Sequence, residues 1–238
     1  MLLSRLPGGD PELFASIQGE GLSVGVPSVF VRLAECNLVC SFCDTKYTWD
    51  WDHHDKAANT TRLEEAAVVA RVVELAGSHT RNIVFTGGEP MLQQTELVGV
   101  ARALRDSGFR MEIETNGTIE PVPELAGVID QWNVSAKLES SGNRKPSARL
   151  RTGPLTWFAA SAKASFKFVV IEAADLDEIE SIVRTFGIPR ERVMVMPEGT
   201  SPEEIASRSQ WLVPEAQARG FRFSTRLHVL LWGAERGR

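Results

Sequence analysis

The 238-residue sequence predicts an α/β fold in which about six parallel strands are surrounded by helices. Three observations predict this class. Short β-branched runs alternate along the chain with longer stretches of helical periodicity. Apolar residues make up 43% of the chain and charged residues 24%, which is the composition of a globular protein. The length suits one α/β domain, so we expect a single domain over residues 1–238.

The predicted strands and helices alternate in a regular order. Strands are predicted over residues 28–33, 82–86, 110–114, 132–135, 165–170 and 192–196, with one more candidate at 221–224. Helices are predicted over residues 63–75, 95–106, 175–186 and 202–218. The last helix has a clear start, because Ser201, Pro202 and Glu203 supply an N-cap, an N1 proline and a first-turn acid. Residues 50–60 and 138–160 are predicted to be loops.

The charge and hydropathy of the chain disfavour several classes of partner. The formal net charge of −5 disfavours nucleic acid and anionic membranes. No apolar run is long enough for a signal peptide or a membrane span, so we expect a cytoplasmic protein that binds no membrane. The densest basic stretch contains Arg144, Lys145, Arg149 and Arg151. It predicts a solvated loop over a binding surface.

The unusual motifs all follow the ends of predicted strands. They are the segment that begins at Cys36, then TGGEP, TNG, SAK and MPEG. In parallel sheets, ligands gather at the carboxyl ends of the strands. We therefore expect these motifs to lie at one edge of the sheet and to form one site.

All three cysteines lie within eight residues, at Cys36, Cys40 and Cys43, in the spacing C-x3-C-x2-C. Three cysteines cannot all pair with one another, so this is not a disulfide framework. Thiolates suit zinc, copper(I) and iron–sulfur clusters. A structural zinc site needs a fourth ligand, here a histidine, and a cubane is normally held by four cysteines. The clustering favours an iron–sulfur cluster with one open iron, while zinc and simple packing are the alternatives.

Polar groups near the first strand suit a heterocyclic ligand. Gln18 and Glu20 lie in FASIQGEG, and an amide with a carboxylate matches the donor–acceptor edge of a pterin or guanine-like ring. Arg32 lies in the first strand, where it either reaches solvent or meets a carboxylate bidentately. The adjacent His53 and His54 in WDWDHHD are not expected to bind metal, because neighbouring side chains point in different directions.

The cysteine spacing resembles that of the radical S-adenosylmethionine (SAM) superfamily. Together with SIQGEG, Arg32, the CDT that ends at Thr45, MPEG and the terminal RLHVLLWGAERGR, the sequence resembles one family closely, 7-carboxy-7-deazaguanine synthase of queuosine and deazapurine biosynthesis. The resemblance implies a partial, incomplete TIM-like barrel. It also implies a 4Fe–4S cluster on Cys36, Cys40 and Cys43, with SAM bound to the open iron and cleaved to a 5′-deoxyadenosyl radical.

The resemblance implies a specific reaction. A synthase of this family contracts 6-carboxy-5,6,7,8-tetrahydropterin to 7-carboxy-7-deazaguanine with loss of ammonia, which places it among the carbon–nitrogen lyases. Hydrogen is taken from C6 and one is returned, so SAM acts catalytically. We also expect an electron donor such as flavodoxin or ferredoxin, and a homodimer. The alternatives are a glycyl-radical-enzyme activase, which would have no use for SIQGEG with Arg32 and Thr45, and a zinc-binding structural module.

The resemblance also implies roles for individual residues. The cluster and SAM carry the chemistry, so no side chain is expected to be catalytic. Magnesium would bind Thr45, which has the alternative role of capping or packing the next turn. The substrate set is Ile17, Gln18, Gly19, Glu20, Arg32, Thr86, His228 and Arg238. The cofactor set is Phe42, Gly88, Glu89, Thr115, Asn116, Ser135, Ala136, Lys137, Met196, Pro197, Glu198 and Gly199, with Ala136 where many relatives have proline.

Overall fold

The computed structural model describes residues 1–238. The strands are β1 (Leu2–Ser4), β2 (Leu13–Ile17), β3 (Pro27–Leu33), β4 (Thr60–Arg62), β5 (Asn82–Gly87), β6 (Arg110–Thr115), β7 (Gln131–Val134), β8 (Ala164–Val170), β9 (Val193–Pro197) and β10 (Arg222–Phe223). The helices are α1 (Lys56–Asn59), α2 (Glu65–Ala76), α3 (Gln94–Asp106), α4 (Pro123–Val128), α5 (Pro146–Arg149), α6 (Thr152–Ala160), α7 (Ala174–Phe186), α8 (Pro202–Arg219) and α9 (Leu227–Trp232). None of the helices combines the length and hydropathy needed to span a bilayer.

The ten strands form one sheet in the order β10-β9-β8-β7-β6-β5-β3-β1-β4, with β2 paired to β3. From β3 to β10 every neighbouring pair is parallel. The other strands, β1, β2 and β4, pair antiparallel. The sheet ends at β10 and β4 and does not close on itself. The predicted α/β class, with an incomplete parallel barrel and outer helices, is confirmed.

The six main predicted strands agree with β3 and β5–β9 to within one residue at each end, and the four predicted helices agree with α2, α3, α7 and α8 to within two. At the start of α8, Ser201 and Glu204 form the expected cap as a reciprocal capping box. The loop prediction for residues 138–160 is wrong, because α5 and α6 lie there. In α6, Gly153 and Pro154 are residues that disfavour a helix, so the sequence pattern does not predict one. Phe158 of this helix is buried against Trp132. The predicted loop at 50–60 likewise contains α1.

Alternate residues of the parallel strands belong to two different environments. On the outer face, residues such as Val29, Val31 and Phe85 join one large apolar core with Leu97 and Val100 of α3. The core thus lies between the sheet and the helices. Period-2 alternation sends the intervening residues to the opposite, inner face. That face carries the polar side chains of the site.

Candidate active site

A cavity of about 240 Å³ opens at the carboxyl ends of the parallel strands. The expected meeting of the motifs at one edge is therefore confirmed. The cavity is lined by most of the residues that the sequence assigned to the site, namely Ile17, Gln18, Gly19, Glu20, Arg32, Cys36, Cys40, Phe42, Cys43, Thr45, Thr86, Gly88, Thr115, Asn116, Ser135, Lys137, Met196, Glu198, His228 and Arg238.

Four other assigned residues lie outside the cavity wall. Ala136 is buried in the apolar core, and Pro197 and Gly199 flank Glu198 without lining the cavity. Glu89 is completely buried beneath the site, where its carboxylate accepts hydrogen bonds from the backbone N–H of Met91 at 3.0 Å and of Asn116 at 2.6 Å. Burial raises the pKa of Glu89. In this structure Glu89 joins the ends of β5 and β6, and its contact with a cofactor stays a prediction.

The cluster loop, residues 36–43, begins at a strained residue and is held closely by β5. Glu35 is the only non-glycine residue with a positive φ, at +75°. Its carbonyl accepts the Glu89 N–H at 2.7 Å, and its N–H donates to the Thr48 carbonyl at 2.7 Å. Gly88 packs so closely on the Glu35 carbonyl that a Cβ would overlap it. The second glycine of TGGEP is therefore required by this close approach of two backbones.

The three cysteines are free, and two of their sulfur atoms accept hydrogen bonds from nitrogen. Asn143 Nδ2 lies 3.3 Å from Cys40 Sγ, and Trp49 Nε1 lies 3.3 Å from Cys43 Sγ. Burial raises the pKa of Cys36 to about 12 and also raises that of Cys40. Thiolates in such a site form together with metal binding, which releases the protons.

The donor set fits an iron–sulfur cluster better than a single ion. Soft sulfur ligands with N–H donors around them are what a cluster requires. No group of three or more His, Cys, Asp or Glu side chains is arranged to hold a single metal ion. Because the glycines at the end of β5 have no side chains, the inner side of the cluster loop, residues 36–43, is open to the cavity.

Thr45 lies two residues beyond the last cysteine, at the start of a short 3₁₀ turn. Its side chain makes no capping hydrogen bond to that turn, so of the alternative roles, capping or packing the turn, only packing remains. The hydroxyl lies 3.6 Å from Cys43 Sγ and lines the cavity. The Thr45 hydroxyl thus faces the cavity, with the long contact to Cys43 Sγ as its side-chain partner.

Gln18 and Thr86 converge on Glu114, a residue that the sequence analysis did not assign. Gln18 Nε2 donates to Glu114 Oε1 at 3.1 Å, and Thr86 Oγ1 donates to Glu114 Oε2 at 2.7 Å. Glu114 lines the cavity. Its place could have been found from β6 itself, where Glu112 and Glu114 alternate with the apolar Met111 and Ile113.

Glu20 is the centre of a buried charge cluster. Lys167 binds one of its oxygen atoms, Arg226 Nε lies 2.9 Å from the other, and His228 Nε2 is 3.9 Å away. Burial alone would raise the pKa of Glu20, but the cations Lys167 and Arg226 lower it well below the usual range. Burial lowers the pKa of His228, so its imidazole is neutral near pH 7. Glu20 therefore stays ionised, with a neutral histidine beside it.

Arg226 connects this charge cluster to the cluster loop. Besides Glu20, it pairs with Asp44, which directly follows the last cysteine. Burial would raise the pKa of Asp44, but Arg226 lowers it. Arg226 Nη1 also donates to the Gly199 carbonyl at 2.6 Å. Sequence reasoning missed Arg226 and Lys167, because their partners are far away along the chain.

Arg32 pairs with a protein carboxylate and still faces the cavity. Its Nε donates to Glu12 Oε1 at 2.8 Å, and the same carboxylate accepts from Tyr47 at 3.0 Å and Arg236 at 3.1 Å. Of the two options given by the sequence, Arg32 meets a carboxylate, but through Nε alone, so the bidentate contact stays a prediction. The terminal nitrogen atoms of Arg32 have no hydrogen-bond partner in the protein, so they remain open to a ligand.

The segment around α9 covers the loop that contains Gln18 and Glu20. Leu227 donates its backbone N–H to the Gly19 carbonyl at 2.9 Å. The His228 ring packs directly over Gly19, where a side chain would collide with it. The first glycine of SIQGEG, Gly19, is thus explained by this contact, which brings His228 to the wall of the cavity.

Comparisons with known proteins define the class first. Residues 32–144 match the Radical SAM superfamily, whose members use a 4Fe–4S cluster and SAM. The chain is 42% identical over 228 residues to the 7-carboxy-7-deazaguanine synthase of Pyrobaculum aerophilum, covering 95% of this chain and 96% of the relative. It is 37% identical over 225 residues to the synthase of Hyperthermus butylicus, covering 92% and 91%. The chain belongs to the 7-carboxy-7-deazaguanine synthase family.

A solved structure supports the fold. The crystal structure of QueE from Escherichia coli superposes with a TM-score of 0.67 at 23% identity, covering 96% of this chain and 95% of that one. Membership of the family sets aside the two alternative explanations of the cysteines, a glycyl-radical-enzyme activase and a zinc-binding structural module.

Proposed function

We propose that the protein contracts 6-carboxy-5,6,7,8-tetrahydropterin to 7-carboxy-7-deazaguanine, with release of ammonia. One observation carries the proposal: a single cavity joins the three free cysteines to Gln18 and Arg32. A cysteine site alone would suit many radical enzymes. The amide, carboxylate and guanidinium at its other end suit a carboxylated pterin.

The cofactor end of the cavity would hold the cluster and SAM. Cys36, Cys40 and Cys43 would hold the cluster, and residues at the ends of β5, β6, β7 and β9 would hold SAM. When bound, these groups supply the radical that removes hydrogen from the substrate. Lys137 Nζ donates to Ser135 Oγ at 2.7 Å, so this pair presents an ammonium and a hydroxyl at fixed positions. We assign them to the carboxylate and ribose of SAM.

The pterin ring would lie against the polar inner face. Glu20 is held ionised by three cationic or polar neighbours, so it can accept hydrogen bonds from the ring N–H groups. Gln18 supplies both a donor and an acceptor. Glu114 fixes the Gln18 amide in place at 3.1 Å. Recognition then depends on groups that are already ordered before the substrate binds.

The substrate carboxylate would meet Arg32 and a magnesium ion bound through Thr45. The open terminal nitrogen atoms of Arg32 suit a bidentate carboxylate. Magnesium keeps several waters and needs only one or two protein oxygen atoms, so a single threonine hydroxyl suffices when the substrate adds its own. Thr45→Val keeps the shape and removes the oxygen. We expect product formation to lose its stimulation by added magnesium, and an unchanged magnesium titration would refute the assignment.

Arg32→Lys tests the carboxylate contact. Lysine lacks the bidentate fork, so we expect substrate affinity to fall by about 10- to 100-fold, the equivalent of one charge-assisted hydrogen bond. Binding of SAM should be unchanged, since Arg32 is not among the residues assigned to SAM. Equal substrate affinity in the two proteins would mean that Arg32 only supports Glu12.

The decisive experiment is anaerobic incubation with a chemical reductant, SAM, magnesium and 6-carboxytetrahydropterin, followed by mass analysis of the product. We expect 7-carboxy-7-deazaguanine from the wild type and none from Cys43→Ala, with Ser41→Ala on the same loop as the matched control. Cleavage of SAM without deazaguanine would leave a radical SAM enzyme and refute the substrate. We propose further that the protein works in the reducing cytoplasm, as a homodimer, with flavodoxin or ferredoxin as donor; sedimentation velocity tests the dimer.

A further inference from the structure

Residues 139–151, which we call the basic loop, pack directly on the cluster loop. Ser41 donates its backbone N–H to the Ser141 carbonyl at 2.9 Å. Val39 donates its N–H to Asn143 Oδ1 at 3.0 Å, and Asn143 Nδ2 reaches Cys40 Sγ at 3.3 Å. The basic loop is thus one side chain away from a cluster ligand.

A buried arginine holds the basic loop in a fixed shape. Arg149 is 3% exposed, and its Nε donates to the Asn143 carbonyl at 3.1 Å. Its Nη1 donates to the Lys137 carbonyl at 2.9 Å and pairs with Glu178 at 2.5 Å. These contacts of Arg149 hold the basic loop in one conformation, and with it the residues that the loop exposes.

The surface residues of the basic loop are cations without partners. Arg144, Lys145 and Arg151 are exposed, and none of them makes an ion pair. They stand out on a chain whose net charge is −5. Beside them Val39 is 62% exposed at the surface of the cluster loop. Because Val39 bonds to Asn143, the residue before Arg144, an exposed apolar side chain lies beside a segment with exposed cations.

This patch is not part of the substrate site. None of Arg144, Lys145, Arg151 and Val39 lines the cavity. A radical SAM enzyme must nevertheless receive an electron, and Val39, on the loop that carries the three cysteines, is the most exposed large apolar side chain of the protein. Small apolar contacts with charged rims are typical of weak electron-transfer encounters. Attraction between opposite charges steers the two proteins together and raises the association rate by about 10- to 1,000-fold.

We propose that Val39 and the basic loop form the docking surface for an acidic one-electron carrier protein. The proposal rests on the proposed function in requiring a cluster that is reduced during turnover. One electron leaves the reduced carrier and enters the cluster through the Cys40 side of the loop, so the carrier is oxidised by one electron and no bond is made. The carrier is identified by its chemistry: an acidic surface around an exposed redox group.

The test uses the cluster-loaded enzyme with reduced flavodoxin as the probe. The rim variant, Arg144→Glu/Lys145→Glu/Arg151→Glu, reverses the exposed charges of the basic loop. The matched control Arg102→Glu/Arg184→Glu/Arg222→Glu makes the same change at exposed arginines without ion pairs, on α3, α7 and β10. Stopped-flow spectroscopy gives the rate of cluster reduction as a function of ionic strength, and calorimetry gives the affinity of the complex.

We expect the rim variant to lose about 10-fold or more in the second-order rate at low salt, because repulsion replaces steering. Its rate should no longer fall as salt is added, and its affinity for flavodoxin should drop. Val39→Ser should weaken binding without changing the salt dependence. Reduction of the rim variant by dithionite, which needs no docking surface, should match the wild type.

Two results would overturn the docking surface: equal reduction of the rim variant and the matched control by flavodoxin, or equal affinity for both. If dithionite supports no deazaguanine formation even in the wild type, the proposed function fails. Binding of flavodoxin to the cluster-loaded protein would still decide the docking surface on its own. The brown absorbance of the loaded variants confirms in each case that the protein is folded and holds its cluster.

Discussion

The two faces of the parallel sheet are built from the same strands but have opposite chemistry. On β5, Phe85 enters the apolar core beneath the helices, and the next residue, Thr86, bonds to Glu114 at the cavity. On β8, Phe168 lies in the core, and Lys167 pairs with Glu20. The outer face supplies most of the stability through apolar burial. The inner face keeps charges buried only because they are paired, and this pairing prepares the site for a polar ligand.

The largest expected difference comes from neighbouring residues on β5. Phe85→Ala opens a cavity in the apolar core and should lower the free energy of unfolding by about 3–5 kcal/mol. Thr86→Val leaves no cavity but removes the hydrogen bond to Glu114, so it should cost about 1.5–3 kcal/mol while weakening substrate binding. Urea unfolding and substrate titration of both variants measure the contrast. Similar losses of stability in the two variants would mean that the outer face does not supply most of the stability.

A second comparison lies within the charge cluster around Glu20. Lys167→Met should lower the free energy of unfolding by about 1.5–3 kcal/mol, because a charged hydrogen bond is lost while Arg226 still pairs with Glu20. The double variant Lys167→Met/Glu20→Gln should lose less than the sum of the two single variants, because no unpaired charge stays buried. Additive losses in chemical denaturation would argue against a direct Lys167–Glu20 interaction.

The same cluster predicts how stability depends on pH. The folded-state pKa of Glu20 lies below its ordinary value of about 4.5, so its contribution is full above that value and is lost as pH falls through the folded-state pKa. Burial raises the pKa of Glu89, which acts in the opposite sense. We expect Glu20→Gln to flatten the acid limb of the stability profile by up to about 1.4 kcal/mol per pH unit. Acid titrations of unfolding that superimpose for both proteins would contradict this.

The smallest expected effect concerns Glu35, at the start of the cluster loop. A left-handed conformation costs a residue with a Cβ about 1–2 kcal/mol, and glycine avoids that cost. Both Glu35→Gly and Glu35→Ala lose the exposed ion pair with Lys56. The glycine variant should therefore be more stable than the alanine variant by about 1 kcal/mol, which is the reverse of the usual order in regular structure. Thermal unfolding of the pair provides the measurement.

The sequence predicted the outer face of the sheet better than the inner one. Strands such as β3 and β8 could be placed to within a residue, because β-branched and aromatic runs report burial directly. The cluster loop and its neighbours followed from cysteine spacing and glycine pairs. Lys167 could not be connected with Glu20, because 147 residues separate them and no local pattern encodes a pair across the barrel. The helices α5 and α6 were missed because their stability comes from tertiary contacts.

The hydrogen bonds around the cluster loop have a consequence for the order of events during biogenesis. The three thiols are local in sequence and exist as a group as soon as that segment is synthesised. Asn143, which donates to Cys40, lies 103 residues later, and Thr118, which accepts from Asn37, lies 81 residues later. An unfolded chain therefore offers the sulfur atoms without their surroundings. The pocket that surrounds the three sulfur atoms is therefore complete only once segments more than 80 residues apart have folded together.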